Sequence, residues 1–426
     1  MRVFYAVVCS LAILSTPAAI ACPLCLAPSQ TWSEMIAASD IVMLAELATI
    51  DEGSDTQRPF AIFQILDVHK GKQHVAKAKT ICIDDYVYGK KGDHYLIKAA
   101  FTDADTPQIM ETFATAAPVA PDKATTKVRK VSATSEDVTK SSSTPAKVLT
   151  WDSPEPVTAA AWQYVTEAPE PEIESIDRLT YFLSFLEHAD GLVAADAWGE
   201  FAKSEYGDIK SLKDSFDNEK LRTWIADAAT SPERLSLYGL MLGMSGTASD
   251  AEFLQQQIGL PQGEDLRFGC EGLMGGLLVL SGEKGLTFLE DSRLKNSAVP
   301  TFEVYAVVQA VQFLWNHEPE AIGKQRLRRA IHPLLQREEL REIAIIDLAR
   351  WEDWTLVDKL SGVYKSCKAD DERTTRAIVG YLLTLDKASE AGDESAMQGR
   401  DAANKLLEHI RSENKRLVKL VERQQR

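Results

Sequence analysis

Cys22-Pro23-Leu24-Cys25 is the stretch of this sequence whose residue types and spacing point most directly to chemistry. A redox Cys-x-x-Cys pair opens a helix that follows a strand, and no strand is predicted before Cys22. A zinc site would need a second ligand pair at regular spacing, and haem attachment would need a histidine where Leu26 stands. We therefore predict a structural disulfide of Cys22 or Cys25 with Cys82, and no metal or cofactor.

The segment before Cys22, residues 1–21, has the pattern of a secretory signal peptide. Arg2 supplies the positive charge, Val3 to Leu14 form a short apolar run, and Ala19-Ile20-Ala21 is a small-residue cleavage site. Cleavage there would place the chain outside the cytoplasm, secreted or periplasmic, with Cys22 as its first residue. Lipidation of Cys22 is the alternative, although Ala19 stands where such sites favour leucine. Only in that case do we expect a membrane partner.

Charge and motif content narrow the class of function. The chain of 426 residues carries a formal net charge of −16, whereas nucleic-acid binding needs clustered Lys and Arg. Gly243-Met244-Ser245-Gly246 lacks the spacing of a nucleophile elbow and follows a predicted helix where a strand is required. The sequence contains no phosphate loop, no zinc-protease helix motif and no dinucleotide fingerprint. We therefore predict a protein that is not an enzyme and binds no nucleic acid.

Arg350-Trp351-Glu352-Asp353-Trp354 is a dense cluster of charge and aromatic rings. Arg350, Trp351 and Trp354 are candidates for a partner-binding patch, because exposed Trp and Arg dominate binding hot spots. The other interpretation is a loop between helices whose tryptophan rings pack inside the protein.

The first part of the mature chain, residues 22–168, is predicted to be a small OB-like β-barrel domain. Several β-branched and aromatic runs separated by Gly-rich turns indicate its strands. These strands are Ile41–Leu47, Phe60–Val68, Thr80–Ile83, His94–Lys98 and Lys147–Trp151, and a short helix is predicted at Ala159–Thr166. Residues from about 102 to 146 are rich in Ala, Thr, Ser, Lys and Pro and nearly free of aromatics, so we predict a disordered insertion.

Residues 173–390 carry helical periodicity and an internal repeat. Leu242-Gly243-Met244-Ser245-Gly246 is echoed by Val279-Leu280-Ser281-Gly282 about 36 residues later. The phase continues more loosely through Phe313-Leu314-Trp315, Asp347–Arg350 and Leu382–Leu385. A helical repeat of this length is typical of stacked helix pairs, so we predict an α-solenoid. The fold class expected for the whole chain is therefore α+β with several domains.

The tail at 394–426 is predicted to be a polar, net basic amphipathic helix. Its apolar positions form a weak heptad seam that is broken near Glu413. Such a helix can cap the last repeat, self-associate, or bind an acidic partner.

The N-terminal part resembles the netrin-like OB barrel shared with tissue inhibitors of metalloproteinases. The resemblance rests on Cys22, the strand Ser39–Glu46, the strand Phe60–Val68 ending in His69-Lys70-Gly71, and the Gly92–Ile97 strand. In that family the amine and carbonyl of the first cysteine chelate the zinc of the target protease, a role that only Cys22 matches here. The family's Cys-x-Cys is Cys-x-x-Cys in this chain, and most of its disulfides are absent.

The repeat part is similar to HEAT-type helical repeats. The combination of the Cys22–Cys25 start, the small β domain and the repeats also resembles a group of secreted proteins of planctomycete bacteria, which implies no particular activity. We expect a non-enzymatic extracytoplasmic binding or scaffold protein that uses its solenoid surface for a protein or peptide partner. The alternative is a metalloprotease-inhibitor-like or metal-chelating module acting through Cys22.

Overall fold

A computed structural model describes residues 30–53, 58–103, 112–113, 147–260, 268–367 and 371–425. The chain is α+β, with an antiparallel sheet in its first part and many helices after it. It divides into two compact units at Ser204/Glu205. We call residues 30–204 the sheet unit and residues 205–425 the helical unit.

The sheet unit contains a seven-stranded antiparallel sheet that curls into a half-barrel. Its strands are β1 (Ile41–Asp51), β2 (Phe60–Lys70), β3 (Thr80–Ile83), β4 (His94–Asp103), β5 (Thr112–Phe113), β6 (Lys147–Trp151) and β7 (Glu155–Pro156). The order across the sheet is β5-β3-β2-β1-β4-β6, and β7 pairs with β4. The strands expected from the sequence are confirmed, with β1, β2 and β4 longer than expected.

Burial of both faces fits the place of β1 at the centre of the sheet, since all five residues from Ile41 to Ala45 are buried. Met43, Ala45 and Leu47 point to one face and are fully buried in its hydrophobic core. Phe63 of β2 and Tyr95 of β4 meet in the same core edge to face, with ring centroids 5.3 Å apart. The two neighbours of β1 therefore pack against each other across it.

Strand β5 lies within the segment for which the composition predicts disorder. It falls within 102–146 and pairs with β3, through Cys82 opposite Phe113 and Ile83 opposite Thr112. Backbone pairing with a sheet edge needs few apolar residues, so composition alone did not reveal it. The rest of that segment lies outside the described residues.

The helices described in the sheet unit are α1 (Trp32–Ala38), α2 (Lys72–Val75), α3 (Ala159–Glu167), α4 (Ser175–Leu183) and α5 (Gly191–Lys203). The sequence placed the end of this domain at 168, with the solenoid starting at 173, whereas the unit extends to Ser204. The reason is that Tyr164 of α3 packs against Tyr181 and Phe182 of α4, with centroids 5.8 and 6.0 Å apart. Helical periodicity alone could not show that α4 and α5 complete this unit.

The described residues of the helical unit are mainly α-helical. The helices are α6 (Tyr206–Ser211), α7 (Asn218–Ala226), α8 (Pro232–Ser245), α9 (Ala248–Gly259), α10 (Cys270–Ser281), α11 (Glu283–Leu289), α12 (Thr301–His317), α13 (Lys324–Ile331), α14 (Arg341–Arg350), α15 (Val357–Ser366), α16 (Glu372–Glu390), α17 (Glu394–Glu413) and α18 (Lys415–Gln424). None of the described helices combines the length and apolar character needed to cross a membrane. The break expected near Glu413 falls at Asn414, which separates α17 from α18.

The copies of the sequence repeat fall on alternate helices: α8, α10, α12, α14 and α16. Helix α10 contacts both α8 and α12, and α14 contacts α16. Between α12 and α14, Gln312 donates to Asp347 at 2.5 Å, and the rings of Trp315 and Trp351 stack with centroids 4.5 Å apart. Successive copies of the repeat are therefore in contact along the unit.

Glycines set the distance between α8 and α10. A Cβ added at Gly243 would lie 2.3 Å from the Cα of Gly276, and one added at Gly276 would lie 1.9 Å from the carbonyl oxygen of Gly239. A Cβ at Gly272 would meet the carbonyl of Ser236 at 2.1 Å. Because these neighbours are backbone atoms, they cannot move aside like a flexible side chain, and the two helices pack with their main chains in direct contact.

We predict that Gly276→Ala destabilises the helical unit by about 3 kcal/mol, because overpacking forces the two backbones apart. Gly362→Ala in α15 is the matched control, since its Cβ would meet nothing within 4 Å. Removing glycine from that exposed helix interior should leave stability unchanged or raise it by up to about 1 kcal/mol. Urea unfolding followed by circular dichroism measures both, and equal midpoints for Gly276→Ala and the unmodified protein would contradict the prediction.

Candidate functional site: adjoining basic and neutral cavities on the helical unit

Helix α18 is amphipathic, so its basic residues lie together on the side that faces away from the protein interior. Leu417, Val418 and Val421 are buried, and the side chain of Asn414 accepts from the backbone N–H of Leu417 and so caps the helix start. The remaining side of the helix is exposed and mostly basic, with Lys415, Arg416, Lys419 and Arg423. Packing of the apolar face therefore fixes the direction in which the basic face is presented.

A cavity of about 830 Å³ lies along this basic face. Its cations are Arg376 of α16 and Lys415, Arg416, Lys419 and Arg423 of α18, and its other lining residues are Glu372, Asn414, Leu417 and Leu420. We call it the basic cavity. Five cations face one carboxylate around it, so it is a region of positive potential in an acidic chain.

A second cavity of about 300 Å³ adjoins the first and shares Arg376 with it. It lies between α14 and α16 and is lined mainly by uncharged groups, with charges at Glu342, Arg350 and Arg376. The uncharged lining residues are Ile346, Ala349, Ala377, Gly380, Tyr381, Thr384 and Gln425. We call it the neutral slot. Its apolar contact surface includes Ile346, whose side chain is 42% exposed.

Gln425 lines the neutral slot, and its amide nitrogen and oxygen differ in their hydrogen bonding. Its side-chain N–H₂ donates to the carbonyl of Gly380 at 3.1 Å, and its backbone carbonyl accepts from Lys387 at 2.7 Å. Its side-chain oxygen is buried and has no hydrogen-bond partner among the described residues. A buried carbonyl without a donor is uncommon and is satisfied when a ligand or water supplies an N–H or O–H.

The three residues proposed from sequence as a binding patch do not share one environment. Trp351 is 2% exposed and stacks on Trp315, and Trp354 is 4% exposed and donates from its indole N–H to Asp393 at 3.2 Å. Both rings are core residues and form no exposed patch. Only Arg350 reaches the surface, where it lines the neutral slot and its guanidinium lies 3.6 Å from the carboxylate of Asp347.

Asp353, one of the two acidic residues between the tryptophans, is also structural. It is buried, and its carboxylate accepts from His332 at 2.7 Å and from the hydroxyl of Thr355 at 2.6 Å. Burial raises the pKa of Asp353, but these hydrogen bonds outweigh it and hold the pKa below its ordinary value. The other ring nitrogen of His332 lies 3.5 Å from the ammonium of Lys359, where a hydrolytic triad would have a hydroxyl or thiol.

Of the three cysteines proposed for a disulfide, only Cys82 lies within the described residues. It is a half-buried free thiol on β3, and burial, followed by the charge of Asp84, raises its pKa. A raised thiol pKa lowers the thiolate fraction, which argues against redox reactivity at this position. Cys22 and Cys25 lie outside the described residues, so the chelating role of Cys22 stays a prediction.

Helix α1, which follows the Cys22–Cys25 segment in sequence, is anchored in the sheet unit by polar contacts. The indole N–H of Trp32 donates to Glu155 at 2.9 Å, and Lys98, only 2% exposed, forms an ion pair with the same carboxylate. The hydroxyl of Ser33 donates to Glu200, which also pairs with Arg178. Each of these buried charges has an opposite partner, as burial requires.

Asp196 of α5 completes this anchor. Its two oxygens accept from the backbone N–H of Trp32 at 2.7 Å and from the hydroxyl of Tyr164 at 2.8 Å. Burial raises the pKa of Asp196 to about 6, although both hydrogen bonds act in the opposite direction, and the charges of Glu200 and Glu155 raise it further. Because both oxygens are used within the fold, we assign Asp196 to anchoring α1.

The raised pKa predicts how stability depends on pH. Ionised Asp196 is disfavoured in the folded state, so its contribution to the free energy of unfolding falls as pH rises from about 4 to about 6 and is constant above that. Asp196→Asn keeps an acceptor for Trp32 and removes the ionisation. From a shift of about two pKa units, we predict that the variant gains about 3 kcal/mol relative to the unmodified protein between pH 4 and pH 8.

Thermal and urea unfolding of both proteins across this pH range, with Asp190→Asn as control, measures the difference. Asp190 accepts from the N–H of Leu192 at 2.9 Å at the N-terminus of α5, and a hydrogen bond from Thr158 lowers its pKa. Its variant should therefore show the opposite trend, losing stability relative to the unmodified protein as pH rises through the acid range. A stability difference for Asp196→Asn that does not vary with pH would contradict the prediction.

Within the described ranges, no three His, Cys, Asp or Glu side chains are grouped so as to hold a metal ion. Sequence reasoning noted the basic tail but missed the two cavities. The signal for the basic face was present, because Lys415, Arg416 and Lys419 alternate with buried Leu417 and Val418 at helical spacing. Arg376 carried no such signal, since folding alone brings α16 beside α18.

Comparison of the chain with protein-family models, with curated proteins and with solved structures finds no match.

Proposed function

We propose that this chain is a non-enzymatic extracytoplasmic binding or scaffold protein whose helical unit holds a peptide segment of a protein partner. The observation that carries the proposal is the pair of adjoining cavities that share Arg376. Their volumes lie in the range of ligand-binding clefts. Together they offer a binding surface that runs from the neutral slot to the basic cavity.

One further feature supports a peptide as the ligand. The exposed side chain of Ile346 offers an apolar contact in the slot beside the guanidinium of Arg350. Apolar anchors flanked by Arg are typical of interface hot spots.

The proposal includes an architecture and a compartment. We propose that helices α8 to α17 form a HEAT-like solenoid, in which the contacts between successive repeat helices build one continuous surface. The half-barrel sheet supports an OB-like accessory domain of netrin-like type. The signal-type pattern of residues 1–21 supports a location outside the cytoplasm.

Selection from a peptide library of unbiased composition, with the full chain as bait, tests the proposal. We expect selected peptides to lose at least tenfold in affinity on Ile346→Asp, because one buried apolar side chain contributes about 1.5–3 kcal/mol. Met397→Asp is the matched control, since Met397 is 51% exposed on α17 and lines neither cavity. Circular dichroism checks that both variants fold.

No enriched peptide, or enriched peptides that bind Ile346→Asp as well as they bind the unmodified chain, would overturn the proposed function.

A further inference from the structure

Within the part of the chain that the structure describes, the cations of the basic cavity lack the carboxylate partners that arginines on the neighbouring helix α17 have. Arg400 of α17 pairs with Asp386 and Glu390, and Arg411 pairs with Glu408 and Glu422. Among the described residues, neither Arg376 nor any of the four basic residues of α18 forms an ion pair within 4.0 Å. In a chain of net charge −16, carboxylates are abundant, yet Glu372 is the only one among the described residues that lines this cavity.

Mutual repulsion between these cations is unfavourable when no anion lies near them. Like charges at helical neighbours destabilise a helix by a few tenths of a kcal/mol per pair. The first turn of α18 contains no acidic residue and begins with Lys415 and Arg416, which repel the positive end of the helix dipole. An anionic ligand lying along this surface reduces both the repulsion between the cations and their unfavourable interaction with the helix dipole.

The spacing of the cations along α18 also sets the length of a matching ligand. Lys415, Lys419 and Arg423 recur every four residues along one side of α18. At a rise of about 1.5 Å per residue, this row extends over about 12 Å. An extended segment with carboxylates on alternate residues matches that length over about five residues, since alternate side chains of a strand repeat every 6–7 Å or so on one face.

We propose that the occupant is an acidic peptide segment with several carboxylates along the α18 row and one apolar side chain in the neutral slot. This inference rests on the proposed function and names the class of its partner. Arg376, at the junction of the two cavities, contacts the segment where its acidic part meets its apolar anchor.

An anionic membrane surface is the competing ligand class, and the packing of α18 disfavours it. Membrane-binding amphipathic helices bury a wide apolar face in the lipid. The apolar face of α18 is already buried in the protein through Leu417, Val418 and Val421, and only Leu420 is exposed. The basic residues also line a concave cavity, which suits a chain segment better than a flat surface.

The first measurement uses a short labelled peptide in which Glu alternates with Ser around a single Leu. Fluorescence anisotropy with the full chain should detect binding that weakens as ionic strength rises, because exposed charge pairs are screened by salt. A peptide with Gln in place of Glu should bind at least tenfold more weakly, and replacing Leu by Ser should also weaken binding. Absence of binding by the Glu peptide would overturn the inference.

Charge reversal locates the binding surface. The double variant Lys419→Glu/Arg423→Glu should weaken binding of the Glu peptide at least tenfold. The control Lys284→Glu/Lys405→Glu makes the same change in net charge at exposed residues that line neither cavity, and it should bind like the unmodified chain. Equal weakening by both double variants would show attraction to overall charge only and would overturn the inference.

Two outcomes separate this inference from the proposed function. If the unbiased library yields neutral or basic peptides whose binding is lost on Ile346→Asp, the proposed function stands and the acidic occupant is wrong. Co-sedimentation with phosphatidylglycerol vesicles that depends on Lys419 and Arg423, without binding of the Glu peptide, would assign the basic cavity to anionic lipid and overturn this inference, whereas the proposed function would still be decided by the unbiased library and Ile346→Asp.

Discussion

The direct contact between the backbones of α8 and α10 is the constraint on which the packing of the first repeat helices depends. Glycines at 239, 243, 272 and 276 remove the side chains that normally keep two helices 8–10 Å or so apart. Large side chains take the place of glycines between α12 and the end of α14, where the rings of Trp315 and Trp351 stack on each other. One pair of helices is thus brought together by glycines, and the other is joined through stacked tryptophan rings.

Much of this fold could be predicted from the sequence, and the successes share one physical origin. Strands β3 and β6 and the break between α17 and α18 depend on local patterns, namely β-branched runs and an interrupted apolar seam. The failures depend on tertiary contacts. The unit boundary at Ser204 depends on Tyr164 packing against α4, and β5 depends on a partner strand about thirty residues away in sequence. The site shows the same division, since the basic face of α18 was visible in the sequence and its junction with α16 was not.

Trp351 and Trp354 show why composition alone cannot separate a recognition patch from a core. Both interpretations use the same residues, because a large aromatic ring stabilises an interface and an interior by the same burial of apolar surface. What distinguishes them is whether the surrounding helices cover the rings. Here Trp315 and Tyr381 provide that cover, and Arg350, at the end of α14, is left at the surface. The buried rings still serve the site indirectly, since Tyr381 lines the neutral slot and packs against Trp354 at 5.5 Å.

Helix α18 has ten residues, fewer than the 12–15 or so that an isolated helix needs to persist in water. Its helicity therefore depends on the burial of Leu417, Val418 and Val421 in the protein. Asn414 caps its first turn, which separates it from α17. Local opening of α18 thus costs less free energy than unfolding of the longer helices. Any ligand that bridges α16 and α18 must slow this opening, so amide hydrogen exchange in α18 becomes a direct readout of occupancy. The stability of the basic cavity against local unfolding is consequently coupled to ligand binding.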